Sequence, residues 1–172
     1  MNTSEYAFTD RGHEQRRLAS QAEEFDPLTE RVFRAAGLVP GMRVLDLGSG
    51  AGDVAILAAR LVGREGEVVG VERDPNAGAS ATARVAQAGV SNVRFMQGDV
   101  QTLDGVADGF DAAVGRLVLM YLPDPAAALR GVAALVRRFH VFMVGNNFIE
   151  QSTLQLVGKS GPRPNHRIAQ SA

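Results

Sequence analysis

The residues with the clearest chemical meaning are carboxylates and glycines that alternate over one short stretch. Asp46 stands two residues before Gly48, and Gly50, Gly52 and Asp53 follow within the next five positions. A short apolar run precedes this turn and a helical pattern follows it. Glycine adopts backbone dihedrals closed to other residues and leaves room for a ligand at the first turn of the next helix. Residues 46–52, here called the glycine loop, therefore predict a site for a nucleoside-sized ligand.

The spacing within the loop indicates the charge of that ligand. A dinucleotide-binding turn has the pattern G-x-G-x-x-G, whereas the residue three after Gly50 is Asp53 and the chain has G-x-G-x-G instead. A carboxylate there repels a diphosphate, and Asp46 and Asp53 together favour a ligand with positive charge near the turn. S-adenosylmethionine fits, because it carries a sulfonium and an amino group and no phosphate. A NAD-dependent oxidoreductase is the weaker alternative, since the last expected glycine is replaced.

Two further acids stand at the ends of predicted strands. Glu72 lies twenty residues after Gly52 and can accept both hydroxyls of a ribose. Asp99, which stands between Gly98 and Val100, can accept a hydrogen bond from an adenine amino group. Because the carboxyl ends of parallel strands face one crevice, these acids and the glycine loop are predicted to line one ligand site.

Short apolar runs alternate with helical patterns, which predicts an α/β fold with a doubly wound, mostly parallel sheet. The predicted strands are Arg43–Leu47, Val68–Glu72, Val93–Gln97, Phe110–Val114 and Phe139–Val144, and two helical segments, Glu14–Ala22 and Pro27–Ala36, precede the first strand. Asp-Pro pairs that begin at Asp26, Asp74 and Asp124 mark helix starts, because the carboxylate caps the first turn and proline has no N–H to lose there. Gly37 and Gly89 mark helix ends.

Composition excludes several classes of function. The 172 residues are 45% apolar and carry a formal charge of −1, which fits one globular domain and favours neither nucleic acid nor an anionic membrane. The chain has no cysteine and three scattered histidines, so we predict no metal site and no thiol nucleophile. No run approaches the ~20 apolar residues of a membrane span, and the first residues lack the pattern of a secretory signal. We expect a cytoplasmic protein whose partner is a small molecule.

In these motifs the chain resembles the class I S-adenosylmethionine-dependent methyltransferases of the small-molecule type common in bacteria. The resemblance covers about residues 40–137 and is carried by the glycine loop and by the segments Val69–Asp74, Gly98–Val100 and Phe110–Pro125. It implies a Rossmann-like methyltransferase fold and methyl transfer from S-adenosyl-L-methionine to a small-molecule acceptor. The cofactor-binding residues that it implies are Asp46, Gly48, Ser49, Gly50, Gly52, Asp53, Glu72, Arg73, Gly98, Asp99, Val100, Gly115 and Arg116.

The resemblance also implies a place for the residues around the ligand. The glycine loop lies against the methionine part of the cofactor, Arg73 flanks the adenine, and Gly115 and Arg116 face the sulfonium and the acceptor. An alternative for Arg116 is an ion pair with a carboxylate such as Asp111 or Glu72. No side chain is predicted as a general base. Holding the acceptor close to the methyl group can lower the activation barrier by ~7–11 kcal/mol, which accounts for much of the rate acceleration without a base.

After Arg137 the chain departs from the family pattern. The Pro-Gly-Gly turn that usually follows the helix at this point is absent, and 28 residues follow Val144. We therefore expect incomplete C-terminal strands and an open sheet edge that a homodimer can cover. Three segments are predicted: an N-terminal helical segment or lid at 1–40, an S-adenosylmethionine-binding α/β domain at 41–145, and a divergent, partly disordered tail at 146–172. A truncated homologue that binds the cofactor without catalysis is the alternative function.

Overall fold

The computed structural model describes residues 26–137 and the backbone of residues 141–144. The predicted helix at Glu14–Ala22, the tail from residue 146 and all three histidines lie outside the described residues. The expectations for those parts of the chain stay predictions.

Within the described residues, five parallel strands form one sheet in the order β3-β2-β1-β4-β5. The strands are β1 Arg43–Leu47, β2 Glu67–Glu72, β3 Val93–Gln97, β4 Ala112–Arg116 and β5 Val141–Val144. Because all pairings are parallel, the carboxyl ends of the strands meet at one edge. The chain moves outward from β1 first to one side and then to the other, so the end of β1 is the point where ligands bind in such sheets. The predicted doubly wound parallel α/β sheet is confirmed.

Helices cover the sheet, and two of them begin where the Asp-Pro pairs at Asp74 and Asp124 predict. The helices are α1 at residues 26–35, α2 Asp53–Val62, α3 Pro75–Gln87 and α4 Pro125–Leu135, with a short 3-10 helix at Leu119–Tyr121. The side chains of Asp74 and Asp124 accept hydrogen bonds from backbone N–H groups in the first turns of α3 and α4, and each is followed by proline. Gly37 and Gly89 have φ angles of 93° and 66°, the left-handed conformation expected just after a helix.

Two of the strands begin at other residues than predicted: β2 begins one residue earlier, at Glu67 instead of Val68, and β4 is shifted by two residues. The predicted strand was Phe110–Val114, whereas β4 is Ala112–Arg116. Phe110 instead forms an isolated bridge with Val136, and its ring lies under the Arg43 guanidinium at 4.5 Å from the ring centroid. Phe110 is therefore apolar because it packs before the start of β4. The strand β4 ends at Arg116, two residues closer to the carboxyl edge of the sheet than predicted.

The core has one apolar cluster on each face of the sheet. Phe33 of α1 and Val54 of α2 pack with Val44 of β1 on one face, and Val132 of α4 packs with Leu47 of β1 on the other. Successive residues of a strand point to opposite faces. Asp46 therefore shares the face of Val44, below α2, and this parity places its carboxyl inside the protein.

Gly70 makes a close packing contact possible in the middle of β2. It pairs in register with Asp46. A Cβ atom at Gly70 would lie 2.5 Å from Cδ1 of Phe95 and 2.8 Å from the Ser49 hydroxyl oxygen. At Gly78, in α3, the same atom would meet nothing within 4 Å.

We expect Gly70→Ala and Gly78→Ala to change stability in opposite directions. The first lowers the free energy of unfolding by about 1–3 kcal/mol, because the Phe95 ring has to move. The second raises it by about 0.5–1 kcal/mol, because alanine is the better helix former. Urea unfolding of the two variants measures both changes. Equal effects at the two glycines would contradict the close packing at Gly70.

Candidate functional site

The glycine loop joins β1 to α2 at the point where the strand order reverses. Gly48, Gly50 and Gly52 have φ angles of 63°, 50° and 86°, a region that favours glycine. A Cβ atom at Gly48 would lie 2.7 Å from Cγ2 of Val118, so the loop packs closely against the connection that follows β4. The loop glycines thus serve both the turn and its packing.

The Asp46 carboxyl is buried beside this loop without a partner. Its side chain is 1% exposed, and neither oxygen has a hydrogen-bond partner among the described residues. Burial raises the pKa of Asp46 to about 8; the nearby Arg116 charge lowers it, and the charges of Glu72 and Asp53 raise it. The backbone N–H of Ala55 also lowers the pKa of Asp46, although it does not meet the geometry of a hydrogen bond to either carboxyl oxygen. Buried polar groups are nearly always satisfied, so Asp46 is the group here that a cationic or N–H-bearing ligand would complete.

Glu72 is held in place by two backbone N–H groups at the end of β2. Its Oε2 accepts from Gly50 N at 2.9 Å, and its Oε1 accepts from Asp74 N at 2.9 Å. Each carboxylate oxygen can accept more than one hydrogen bond. Glu72 therefore fixes the glycine loop and retains acceptor capacity for a ligand.

A cavity of about 240 Å³ lies at the carboxyl edge of the sheet. It is lined by Gly48, Glu72, Arg73, Gly98, Asp99, Val100, Arg116, Leu117, Val118, Tyr121 and Leu122. The first seven belong to the predicted site, so the structure brings together residues from β1, β2, β3 and β4. The last four, all after β4, were not among the predicted site residues.

Arg116 forms the ion pair that the alternative interpretation foresaw, but with a different acid. Its Nη1 donates to Asp26 Oδ1 at 2.9 Å, and its side chain is 11% exposed. Asp111 instead accepts from the Arg43 backbone N–H at 2.9 Å. Arg116 therefore links Asp26 of α1 to the end of β4 while it lines the cavity.

Asp53 lies outside the cavity lining. Its carboxylate accepts from Arg84 of α3, and a second Arg84 nitrogen donates to the Ala51 carbonyl at 3.1 Å. The Asp53 contact raises the pKa of Arg84. Asp53 thus holds α3 against the start of α2, and its predicted contact with the cofactor stays a prediction.

The remaining predicted residues have supporting positions. Ser49 is buried, and its hydroxyl has no partner among the described residues. Gly52 lies against Ala81 and Phe95, where a Cβ atom would approach to 3.1 and 3.2 Å. Gly115 pairs in register with Leu47 of β1. These residues shape the loop and the strand end rather than line the cavity.

The unusual backbone of Leu117 was not predicted from the sequence. Its φ angle is 63°, a conformation that a leucine adopts only under constraint from its surroundings. The turn at this residue follows Arg116 and brings Val118 against Gly48. Nothing in the residue types signals this turn.

Two classes of site are absent from the described part of the chain. Among residues 26–137 and 141–144, no cluster of three or more histidine, cysteine or acidic side chains could hold a metal ion. No helix in the same residues is long and apolar enough to cross a membrane.

Comparisons with known proteins give the family. Residues 38–162 match a family model described as a methyltransferase domain. The chain is 32% identical over 114 residues to the aklanonic acid methyltransferase DauC of Streptomyces sp. (strain C5), covering 66% of this chain and 52% of DauC. Three of the curated relatives that it matches are covered over 52%, 23% and 39% of their length, so the chain spans about half or less of them.

Solved structures agree with this match. CrArsM, an arsenic(III) S-adenosylmethionine methyltransferase from Chlamydomonas reinhardtii, is 34% identical with a TM-score of 0.55, over 60% of this chain and 38% of that one. The [4+2]-cyclase SpnF is 27% identical with a TM-score of 0.60, over 68% of this chain and 43% of SpnF. The fold and the site define a Rossmann-like α/β domain of the class I type. The chain belongs to the S-adenosylmethionine-dependent methyltransferase domain family.

Asp46 is expected to make the stability of the ligand-free protein fall as pH rises. The pKa of its carboxyl is about 8 in the folded chain and about 3.8 for an ordinary aspartate, so between these values the folded state retains a proton that the unfolded state has lost. Asp46→Asn removes this contribution. We expect the stability of the variant relative to the parent to increase steadily from pH 5 to pH 8. Urea unfolding at each pH checks this, and parallel pH profiles would contradict it.

Proposed function

We propose that the chain binds S-adenosylmethionine at the carboxyl ends of β1, β2 and β3 and transfers its methyl group to an organic small molecule. The observation that carries the proposal is the buried Asp46 carboxyl, whose two oxygens lack partners among the described residues. The amino group of the cofactor supplies the N–H donors that these oxygens need, and its sulfonium adds a favourable charge. A diphosphate ligand would instead place negative charge beside a buried acid.

The residues around the cavity suit the rest of the cofactor. Glu72, fixed by two backbone N–H groups, accepts from the ribose hydroxyls. Asp99, whose Oδ1 is oriented by the Gln101 N–H at 2.8 Å, accepts from the adenine amino group beside Arg73 and Val100. In this proposal residues 41–145 form the cofactor-binding unit and residues 1–40 form a helical segment beside it.

Placement and exclusion of water are the main tasks of the protein in this reaction. When bound, the cofactor supplies a methyl group that a sulfonium has already activated for displacement. Leu117, Val118 and Leu122 form an apolar wall beside the Arg116 end of the cavity. Such a wall excludes water where opposite charges meet or disperse. Holding the acceptor close to the methyl group contributes about 7–11 kcal/mol, and no side chain is assigned as a general base.

The chain favours an organic acceptor over arsenic. Arsenic(III) is a soft acceptor that thiolates bind best, and the chain contains no cysteine. DauC, by its name, methylates an organic acid. Because SpnF carries the same fold and is named a cyclase, methyl transfer has to be tested directly.

A cytoplasmic location, and a homodimer that covers the outer edge of β5, remain part of the proposal.

Calorimetry with S-adenosylhomocysteine tests the cofactor site. We expect the parent to bind it and Glu72→Ala to weaken binding by about 1.5–3 kcal/mol, the scale of lost charge-assisted hydrogen bonds. Glu72→Gln retains an acceptor for the Gly50 N–H and loses less. Glu65→Ala, at an exposed position outside the cavity, is the control and leaves the affinity unchanged. Unchanged affinity in Glu72→Ala, or no binding by the parent, would contradict the site.

Two further measurements separate the alternatives. Transfer of a labelled methyl group from S-adenosylmethionine to a panel of organic acids and phenols distinguishes an enzyme from a homologue that only binds the cofactor. Titration with NAD tests the oxidoreductase alternative. Binding of NAD in place of S-adenosylhomocysteine would favour it over methyl transfer.

A further inference from the structure

The two ends of the cavity carry opposite charge. Glu72 and Asp99 line it at the ends of β2 and β3, where Arg73 is also in the lining, so two acids stand against one arginine at that end. Arg116 lines it at the end of β4, next to the apolar side chains of Leu117 and Val118. An acid-lined end suits the adenosyl group, which leaves the Arg116 end for the acceptor.

The geometry places Arg116 at the level of the glycine loop. Gly115 pairs with Leu47 in the ladder between β4 and β1, so the next residue of each strand, Arg116 and Gly48, lie level at the carboxyl edge. Arg116 is therefore close to the part of the loop that the methionine end of the cofactor is proposed to contact. A group bound by Arg116 would lie near the transferred methyl group.

Among the described residues, Arg116 is paired with one partly exposed acid. Asp26 accepts from Nη1, and in the described residues this is the hydrogen bond that the guanidinium makes, out of five possible donors. The Asp26 side chain is 39% exposed, so water weakens the pair. In the ligand-free protein Asp46, the other acid that acts on Arg116, holds its proton at neutral pH because burial raises its pKa to about 8. In the proposed complex the Asp46 carboxyl is balanced by the amino group of the cofactor instead of by Arg116. The wall at this end of the cavity therefore remains cationic.

We propose, on the basis of the proposed function, that the methyl acceptor is an organic anion with an apolar body and that Arg116 binds its carboxylate or other oxyanion. Arginine offers a forked set of donors that fits such an oxyanion. Leu117, Val118 and Leu122 contact the apolar body, and Tyr121, which is 74% exposed at the cavity, offers it a ring face. A protonated amine is repelled both by Arg116 and by the sulfonium. Asp26 is a positioning residue, which holds the guanidinium from outside the cavity lining.

Benzoate and benzamide test this proposal, because they share size and shape and differ in charge. We expect benzoate to bind the parent, saturated with S-adenosylhomocysteine, about tenfold more tightly than benzamide in ligand-observed NMR titrations. Arg116→Gln binds the two probes equally. Arg116→Lys retains the charge without the fork and keeps a smaller preference. Arg130→Gln, an exposed position on α4, is the control and keeps the full preference.

Several outcomes would overturn the proposal. Equal binding of the two probes by the parent is one, and a full preference in Arg116→Gln is another. If Arg116→Gln instead loses affinity for S-adenosylhomocysteine and keeps the benzoate preference, Arg116 serves the cofactor and not the acceptor. If that variant does not fold, the parent decides the matter, because the preference has to shrink as salt is raised from 0.05 to 0.5 M.

The failure of this inference can be told apart from failure of the proposed function. Arg116 and Asp26 are in place in the protein alone, so the benzoate preference is expected without S-adenosylhomocysteine as well. A parent that fails to bind S-adenosylhomocysteine contradicts the cofactor site and leaves the probe comparison readable. A parent that binds S-adenosylhomocysteine and shows no benzoate preference contradicts only the acceptor class.

Discussion

The burial of the Asp46 carboxyl without a partner is the constraint on which the site depends. Side chains of a strand point to alternate faces of the sheet, so Asp46 lies on the same face as Val44, which is in the core. In addition, β1 is the central strand of the described sheet. The Asp46 residue is therefore held inside the protein, where it is 1% exposed. Burial of a charged carboxylate costs free energy, and the ligand-free protein avoids this cost by keeping the Asp46 proton. A ligand with N–H donors and positive charge can replace that proton. Stability and ligand binding thus meet in one group.

The other acids of the site are all engaged, and their bonds hold the surrounding loops. Glu72 holds the glycine loop through the Gly50 N–H, and Asp53 holds α3 through Arg84. Asp26 holds α1 to the end of β4 through Arg116. These contacts join elements that are far apart in sequence at the carboxyl edge of the sheet. Against this background the unpartnered Asp46 differs by its environment rather than by its residue type. Glu72, Asp53 and Asp26 therefore stabilise the structure of the site, whereas Asp46 is available to bind a ligand.

The sequence was sufficient for features that depend on neighbouring residues and failed for those that depend on distant ones. The short apolar runs between helical patterns predicted the strands of the parallel sheet, and Asp74 with its following proline predicted the start of α3. Each of these signals lies within a few positions of the chain. The partner of Arg116 is 90 residues away, so no spacing could indicate Asp26. The left-handed backbone of Leu117 comes from the packing of its neighbour and has no signature in residue type. A signal for Gly70 was available, since a glycine inside an apolar strand often marks a close approach.

The connection after β4, which is proposed to contact the acceptor, packs against the glycine loop. Val118 packs against Gly48 so closely that a Cβ atom at the glycine would overlap it. A larger side chain at position 118 therefore requires movement of the loop that is proposed to hold the methionine end of the cofactor. This coupling limits which acceptors the fold can adopt by changes in the connection alone. The left-handed backbone of Leu117 lies in the same connection, between the proposed acceptor-binding Arg116 and the Val118 side chain that packs on the loop.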